Sequence, residues 1–160
     1  MPPLQPRALS ADEAGDAAVA LSPHIQPWHA ERFPDRFKPQ AEVEPRAFKL
    51  FVTGGLEGPE SFAFGLGEPV EGLIFGHAEL LEGNALSYER KVLKIDEIVV
   101  APALRRQGAA RALFEAALAF GREHGCSQAV LTTYEGNDGA HALFAAMGFA
   151  RRVQTWVAPL

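Results

Sequence analysis

The feature that constrains the fold most is a strand, a tight turn and a helix in immediate succession. Residues 92–100 form the strongest strand pattern of the chain, and Pro102 cannot continue it. Apolar residues then recur at helical spacing over residues 110–124. A second apolar strand is predicted over residues 129–133. Because two parallel strands joined by a helix need a right-handed crossover, the chain is predicted to have an α/β or α+β fold.

The rest of the chain alternates between helix and strand patterns that glycines and prolines punctuate. Ser10 and Glu13 form a capping-box pattern, which predicts that a helix starts directly after Ser10. Pro3 and Pro6 favour an edge strand, because proline cannot donate to a strand ladder. The further predicted elements are an edge strand over Leu4–Leu9, helices over 11–21 and Ala41–Thr53, strands over Ser61–Gly67 and Val70–Leu81, a helix from Asn137 to Met147, and a last strand over Phe149–Val157.

Composition bounds the class of protein. The 160 residues are 48% hydrophobic and 22% charged, which is typical of one globular domain and excludes disorder for most of the chain. The net charge is −5 and no basic run is longer than two residues, so nucleic-acid binding is not expected. The longest apolar run, residues 142–147, is too short to span a membrane. The N-terminus lacks the pattern of a secretory signal, and we expect a cytoplasmic protein.

Cysteine and histidine spacing give no sign of a disulfide or a metal site. Cys126 is the only cysteine, which excludes an internal disulfide and a cysteine-based zinc site. A buried thiol is favoured over a nucleophile there, because no histidine-containing constellation accompanies it. No two histidines share a ligand spacing such as His-x-x-x-His, so no metal is expected.

The start of the helix after the turn is a candidate anion site. The first amides of a helix lack intrahelical acceptors and carry partial positive charge. Gly108 lets the backbone approach a ligand, Ala109 and Ala110 leave room, and Arg105 and Arg106 add positive charge. The chain has neither a P-loop nor a Gly-x-Gly-x-x-Gly fingerprint here. The pattern indicates a phosphate or diphosphate held by backbone amides, with a plain helix start and two solvated arginines as the alternative.

The motif around this turn belongs to a longer pattern. Arg105-Arg106-Gln107-Gly108-Ala109-Ala110 fits Gln/Arg-x-x-Gly-x-Gly/Ala and follows the strand 95–100 and Pro102. Downstream, residues 137–144 are similar to Asn-x-x-Ala-x-x-Leu-Tyr, and Gly148-Phe149 follows. This arrangement resembles the acetyl-CoA signature of the GNAT superfamily of N-acetyltransferases. The resemblance is good over residues 61–157 and loose over the first 60 residues.

The resemblance implies a mixed, mostly antiparallel sheet with a splayed central pair of parallel strands, flanked by helices. Residues 1–160 would form a single N-acetyltransferase domain, with residues 1–60 as the variable acceptor side and residues 61–157 as the acetyl-CoA core. The implied activity is direct transfer of acetyl from acetyl-CoA to a primary amine in a ternary complex. The residues implied to bind acetyl-CoA are Ile98, Val99 and Val100 at the pantetheine arm, Arg105, Arg106, Gln107, Gly108, Ala109 and Ala110 at the diphosphate, and Asn137 and Phe144 farther along.

That reaction needs a base for the ammonium proton, and the chain offers several carboxylates. Glu97 is the candidate catalytic base, because it lies on the strand that lines the implied cleft. Its alternative is a structural carboxylate paired with a nearby lysine such as Lys94. Asp96 is expected on the opposite face of the strand if the side chains alternate, and Glu79 is a second candidate.

The reaction also needs an oxyanion donor and help for the leaving thiolate. The amide of Val99 or Val100 is the expected oxyanion donor. Phe144 replaces the tyrosine of the family pattern and has no proton to donate. A thiol with a pKa of about 8.5 can leave without help, and Tyr134 is a candidate substitute, with an ordinary loop tyrosine as the alternative. A non-catalytic acyl-CoA-binding or sensing module, or a structural domain without cofactor, therefore stays open.

The acceptor is an unidentified amine. The acidic chain favours a small cationic molecule such as a polyamine, an aminoglycoside or an amino acid derivative, with a protein amine as the alternative. The stretch that holds His24 and His29 resembles segments at the acceptor side of the family's cleft. It is either a substrate-binding lip or a connector in which Phe33 and Phe37 fill the core. Trp156 is either a core residue or a contact of a homodimer, since dimers are common in such a family.

Overall fold

The computed structural model describes residues 3–160. Five strands form one sheet in the order β1-β2-β3-β4-β5, in which all neighbours are antiparallel except β4 and β5. The predicted mixed sheet with one parallel pair is confirmed. The strands are β1 (Arg7–Ala8), β2 (Ser61–Leu66), β3 (Gly72–Leu81), β4 (Arg90–Val100) and β5 (Gln128–Val130). The helices are α1 (Ala11–Leu21), α2 (Gln26–Arg32), α3 (Pro45–Gly55), α4 (Ala109–Glu123) and α5 (Asp138–Ala146), and 3-10 turns lie at Ser22–His24, Gln40–Glu42 and Pro102–Leu104.

Helices cover both faces of the sheet. On one face, α1 packs through alanines such as Ala14 and Ala18, and α3 contributes the buried Val52. On the other face, α4 inserts Leu113 and Phe114, both completely buried. Burying an aliphatic or aromatic side chain of this size stabilises a fold by roughly 1.5–3 kcal/mol. The helical spacing of the apolar residues in α4 thus corresponds to the face that covers the sheet.

Two helices of the N-terminal part begin at side-chain caps. The capping box at α1 is present, with Glu13 N–H donating to Ser10 Oγ at 3.1 Å and Ser10 N–H donating to the Glu13 carboxylate at 2.8 Å. α3 begins at Pro45 rather than at Ala41 as predicted. The reason is that the Glu44 carboxylate accepts from the first free amides of this helix, and a proline suits the first helical position.

The predicted last strand over residues 149–157 is wrong. Phe149 packs against the ring of Phe114, with ring centroids 5.7 Å apart, but residues 150–160 are exposed and have no regular secondary structure. Trp156 is 88% exposed, so it is not a core residue. The apolar pattern of residues 149–157 indicates a high strand propensity. A strand forms, however, only where another strand pairs with it.

Two strands are shorter than predicted. β1 has two residues, Arg7 and Ala8, which pair with Gly65 and Phe64, and Pro6 directly precedes them. β5 ends at Val130, where its pairing with β4 stops opposite Lys94. Between residues 3 and 160, no helix has the length and apolar content needed to cross a bilayer.

Candidate functional site

A gap opens in the sheet between its two parallel strands. β4 and β5 pair only from Val92 opposite Gln128 to Lys94 opposite Val130. β4 then continues to Val100, whereas the chain leaves the strand after Val130. Within residues 3–160, no strand pairs with this side of β4 beyond Lys94, so backbone groups are left without strand partners. Such groups need other hydrogen-bond partners, which a ligand in the gap would supply.

The direction of the backbone groups decides which residues of β4 face the gap. Neighbouring residues of a strand turn their N–H and C=O groups to opposite sides. Ala101 N–H donates to Glu71 O at 2.7 Å on the β3 side, so the backbone of Val100 faces the gap. By the same alternation Ile98 faces the gap and Val99 bonds toward β3. By this alternation the Val99 amide is directed toward β3, so of the two expected oxyanion donors the Val100 amide is the one that faces the gap.

The chain turns from β4 into α4 through two residues with left-handed backbone. Arg106 has a φ of 62° and Gly108 a φ of 81°, a conformation that costs glycine little. Within residues 3–160, the amides of residues 106–111 have no protein acceptor, and the first helical bond runs from Ala112 N–H to Gly108 O at 3.0 Å. We call residues 106–111 the amide run. It combines unpaired donors with the positive end of a helix dipole, which suits an anion.

Two side chains of the signature motif stabilise the turn itself. Arg105 Nε donates to Val100 O at 3.0 Å, and Gln107 Nε2 donates to Ala103 O at 2.7 Å. The Gln107 side chain therefore shapes the loop rather than reaching outward. The Arg105 side chain occupies a carbonyl that faces the gap, so a ligand that uses this carbonyl must displace it.

A bulge interrupts the pairing of β3 and β4 at the level of the gap. Phe75 pairs with Glu97 and Gly76 pairs with Ile95, so Asp96 has no opposite residue on β3. Gly76 makes the close approach possible, because a Cβ atom there would lie 2.0 Å from the carbonyl oxygen of Lys94. The extra residue also changes which backbone groups of β4 face the side of β5 and the gap. Before the bulge these groups belong to odd-numbered residues, and after it they belong to even-numbered residues.

Glu97 is a carboxyl group without a partner. Its Oε1 atom is buried and accepts no hydrogen bond within residues 3–160, although the residue as a whole is only half-buried. Burial, followed by the charge of Asp96, raises the pKa of Glu97 to about 7. The expected alternative was an ion pair between Glu97 and Lys94. No such ion pair is present within residues 3–160. A carboxyl group with this pKa can accept a proton from an amine and release it again near neutral pH.

Asp96 lies on the same face of the sheet as Glu97, so its expected position on the opposite face is wrong. His77 and Phe75 are two residues apart on β3 and share a face. Phe75 pairs with Glu97, and the His77 imidazole contacts the Asp96 carboxylate at 3.2 Å. The bulge causes this, because strict alternation of side chains fails where an extra residue is inserted. Glu79, the second candidate base, lies 3.8 Å from the other nitrogen of His77.

Four aromatic side chains, His29, Phe33, Phe37 and Tyr134, form a cluster outside both cores. The ring centroids of Phe33 and Phe37 each lie 5.0 Å from that of Tyr134, and His29 is 4.7 Å from Phe37. Phe33 and Phe37 belong to neither core cluster, so the expectation that they fill the core is wrong. Burial lowers the pKa of His29, which favours the neutral imidazole. We call these four residues the aromatic cluster.

The aromatic cluster is connected to the open end of the gap. Tyr134 comes four residues after Val130, where the pairing with β4 ends. Arg36 Nε donates a hydrogen bond to the Tyr134 hydroxyl and so ties the segment after α2 to the loop after β5. The N-terminal stretch therefore borders the chain that follows β5, which is compatible with a wall on the acceptor side.

The two predicted contact residues of the C-terminal part have defined structural positions. The Asn137 side chain accepts from Ala140 N–H at 3.4 Å and caps α5, which leaves its amide NH₂ group for a ligand. Phe144 is half-buried against Phe114, with ring centroids 5.7 Å apart. This ring supplies an apolar surface and no proton.

Cys126 and the histidines do not form a reactive constellation. Burial is the main cause of a raised pKa of the half-buried Cys126 thiol, which disfavours the nucleophilic thiolate. In the part of the chain from residue 3 onward, no group of three or more histidine, cysteine, aspartate and glutamate side chains is placed to hold a metal ion.

The chain matches the family model described as the acetyltransferase (GNAT) family over residues 22–149. The chain belongs to the GNAT acetyltransferase family. A comparison with curated protein sequences gives no significant match. As a GNAT acetyltransferase, the protein belongs to a group whose general activity is acetyl transfer.

Solved structures share the GNAT fold at low sequence identity. A tetramutant of the BH1408 protein from Bacillus halodurans has a TM-score of 0.82 at 21% identity, covering 97% of this chain and 99% of that one. The aminoglycoside N-acetyltransferase AAC(6')-Iy, solved with CoA, has a TM-score of 0.68 at 16% identity, covering 100% and 98%. An aminoglycoside acetyltransferase from an uncultured soil metagenomic sample has a TM-score of 0.61 at 23% identity, covering 99% of each chain.

Some residues around the candidate site were not found from the sequence. His77, which contacts Asp96, and Arg36, which holds Tyr134, gave no local signal because their partners are distant in the chain. The bulge did leave a signal, since an isolated glycine inside a strand pattern often marks one, and Gly76 stands inside β3.

Proposed function

We propose that the protein is an N-acetyltransferase that moves acetyl from acetyl-CoA to a primary amine of a small cationic acceptor. The observation that carries this proposal is the amide run, residues 106–111, at the open end of the gap between β4 and β5. Free amides at the start of a helix suit the diphosphate of coenzyme A. The proposed base, Glu97, lies on the strand that ends at this turn.

The chain's residues fit acetyl-CoA along the gap. The amide run would hold the diphosphate, with Arg105 and Arg106 adding positive charge. The backbone of Ile98 and Val100 would pair with the pantetheine arm, after the Arg105 side chain releases the Val100 carbonyl. Farther along, the Asn137 amide would donate to the pantetheine, and the Phe144 ring would line the site.

Glu97 would accept the proton that the amine must lose, since an ammonium group has no lone pair to attack with. The amine nitrogen then forms a bond to the thioester carbonyl carbon. The amide of Val100 or Ile98 would donate to the oxyanion, because both face the gap. The carbon–sulfur bond then breaks and the thiolate leaves. The attacking nitrogen still carries one proton too many and releases it to solvent, which gives the neutral amide.

The thiolate proton has two proposed sources. Phe144 has none to give, and a thiol with a pKa of about 8.5 can leave as the anion and take a proton from water. Tyr134 is the alternative donor, because its hydroxyl oxygen accepts from Arg36 Nε and keeps its own proton to donate, and because it follows β5 by four residues. A Tyr134→Phe variant with unchanged kcat would remove it from this role.

A small cationic acceptor is supported by the side chains around Glu97. Asp96 and Glu79 share its face of the sheet and carry negative charge, and the net charge of the chain is −5. Two of the similar solved structures are named as aminoglycoside acetyltransferases, which act on molecules of this class. The aromatic cluster would form a wall of the acceptor pocket.

An amine panel with acetyl-CoA tests the activity. Release of free thiol is expected with at least one polyamine, aminoglycoside or amino acid amide. Glu97→Gln should reduce kcat/KM by about 100-fold or more near pH 7, as expected for loss of a general base. If the wild type is active and the Glu97→Gln variant keeps full turnover across the pH range, then Glu97 is not the catalytic base.

A matched pair of glycine variants tests the cofactor site. Gly108 and Gly125 flank α4, both have positive φ, and at neither would a Cβ atom have a neighbour within 4 Å. Gly108→Asp places a carboxylate beside the amide run and should weaken CoA binding about tenfold or more in calorimetry, through charge repulsion. Gly125→Asp carries the same change at the other end and should bind CoA normally. Equal affinity of the two variants would contradict the site.

The alternative function is a non-catalytic acyl-CoA-binding or sensing module, which the absence of a proton donor at Phe144 favours. It predicts tight CoA binding without thiol release against a broad amine panel. A structural domain without cofactor predicts no thermal shift with acetyl-CoA. The same two assays therefore separate the three functions.

We further propose a cytoplasmic homodimer in which residues 1–160 act as one domain, with residues 1–60 on the acceptor side. The support for a dimer is the exposed apolar surface of the C-terminal segment, where Val153, Trp156 and Val157 are each more than four-fifths exposed. Light scattering should give the mass of two chains, and a Trp156→Ser variant should shift it toward one chain. A monomer at all concentrations would contradict the dimer.

A further inference from the structure

A histidine between two carboxylates lies next to the proposed base and has no part in the mechanism above. His77 Nδ1 is 3.2 Å from Asp96 Oδ2, and His77 Nε2 is 3.8 Å from a carboxylate oxygen of Glu79. The side chains of His77 and Asp96 are both about two-thirds buried, with 31% and 32% exposure. Asp96 directly precedes Glu97 in the chain.

The bulge is what places the two carboxylates on one face of the sheet. In a regular strand, residues 96 and 97 would face opposite sides of the sheet. Here Asp96 is the inserted residue, and it reaches His77 on the face where Glu97 lies opposite Phe75. Gly76 permits the close approach of β3 and β4 at this bulge. The placement of Asp96 and Glu97 on one face is therefore a property of the backbone.

We propose that His77 is a positioning residue that holds the Asp96 carboxylate on the face of Glu97, so that its negative charge adds to the effect of burial and moves the working pH of the base upward. Two neighbouring carboxyl groups oppose each other's ionisation, because like charges at short distance repel. The His77 imidazole contacts the Asp96 carboxylate and so holds it on this face of the sheet. The consequence for catalysis rests on the proposed function, whereas the charge coupling does not.

Other charges near this face are few or already paired. α1 and α3 cover it with apolar residues, and the carboxylates of Asp12 and Asp16 on α1 are bound by Lys49. Within residues 3–160, Glu97 has no hydrogen-bond partner at Oε1, and Lys94 forms no ion pair with Glu97 or Asp96. The titratable and charged groups on this side are Asp96 and Lys94 of β4, His77 and Glu79 of β3, and His29 of α2.

The direct test is a titration of the Glu97 carboxyl group in the ligand-free protein by ¹³C NMR, with Glu97→Gln to assign the signal. Asp96→Asn should lower the midpoint by about half a pH unit or more, since the repulsion between two neighbouring carboxylates is worth about that much even at the dielectric of water. His77→Ala should shift it in the same direction, and the double variant should add little. Glu82→Gln removes an exposed carboxylate beyond the end of β3 and should leave the midpoint unchanged.

An unchanged or raised midpoint in Asp96→Asn and His77→Ala overturns the proposal, and if one variant does not fold the other decides. The catalytic consequence is read from the pH profile of kcat/KM, whose acidic limb should move to lower pH with the same midpoint shift. A shifted titration without acetyl transfer to any amine would refute the proposed function and keep the coupling. Acetyl transfer with an unmoved titration would refute the coupling and keep the function.

Discussion

Glu97 shows how one side chain can couple function to stability. Its pKa is raised from 4.5 to about 7, chiefly by burial and then by Asp96. The folded protein therefore holds a proton that the unfolded chain has released between these two pH values. By linkage, stability falls as the pH rises through this range, because the native state binds more protons than the unfolded state. The group needed as a base is thus unfavourable to the fold when ionised.

Glu97→Gln should reverse this cost at alkaline pH. Glutamine is neutral at every pH, so the variant should be more stable than the wild type at pH 8.5, by at most about 3 kcal/mol, and similar at pH 4.5. Urea unfolding at the two pH values measures the difference. Glu82→Gln, at an exposed position, serves as the control and should show no pH-dependent difference. If Glu97→Gln changes the free energy of unfolding equally at both pH values, then ionisation of Glu97 does not destabilise the folded protein.

At the scale of elements, the contact between β3 and β4 depends on one glycine. A Cβ atom on Gly76 would lie 2.0 Å from the Lys94 carbonyl oxygen, so any side chain forces the two backbones apart. The strands could separate only by losing ladder bonds on both sides of the bulge. Separation of the two strands would also change the bulge, and the position of Asp96 beside Glu97 would change as a result.

Gly76→Ala should therefore destabilise the protein by about 3 kcal/mol or more, because the clash is with backbone rather than with a flexible side chain. Gly54→Ala, in α3, is the matched control. No atom lies within 4 Å of a Cβ there, and alanine should leave stability unchanged or raise it by about 0.5–1 kcal/mol. Thermal unfolding of both variants checks this. Equal melting temperatures would show that β3 can move away from β4 without cost.

Local patterns predicted the elements whose signals are local. The capping box at Ser10 and the apolar spacing of α4 lie within a few turns of one helix, and both α1 and α4 form as predicted. The start of α3 was misplaced by four residues, because the cap is a glutamate, a residue type that capping patterns do not favour. The strand over residues 149–157 was wrong, because pairing depends on a partner that local sequence does not specify.

At the scale of the whole molecule, the sequence predicted the family and the turn but not the arrangement around Glu97. The family model confirms the resemblance over residues 22–149. The position of Asp96 depends on a bulge that shifts the alternation of a strand, and the contact with His77 spans 19 residues of sequence. The aromatic cluster joins α2 to Tyr134 across most of the chain. Such contacts are set by tertiary packing rather than by local patterns.

Deletion of residues 150–160 should leave the fold intact. All of these residues are exposed, and Trp156 is 88% exposed, so little buried surface is lost. The free energy of unfolding should stay within about 1 kcal/mol of the full chain when both are measured as monomers. Urea unfolding at low protein concentration checks this. A loss of several kcal/mol would mean that the segment pairs with the body of the protein in solution.

The short ladder between β4 and β5 has a consequence for the lifetime of the protein. Within residues 3–160, three residue pairs, from Val92–Gln128 to Lys94–Val130, and the bond from Ser127 N–H to Lys91 O join β5 to the sheet, and α5 contains no fully buried residue. Sparse bonding of this kind makes a region open locally and expose sites to proteases. A ligand bound between β4 and β5 would bind only the form in which this region is folded, and it would therefore suppress local unfolding. Under the proposed function, the supply of acyl donor would then govern how long the chain escapes degradation.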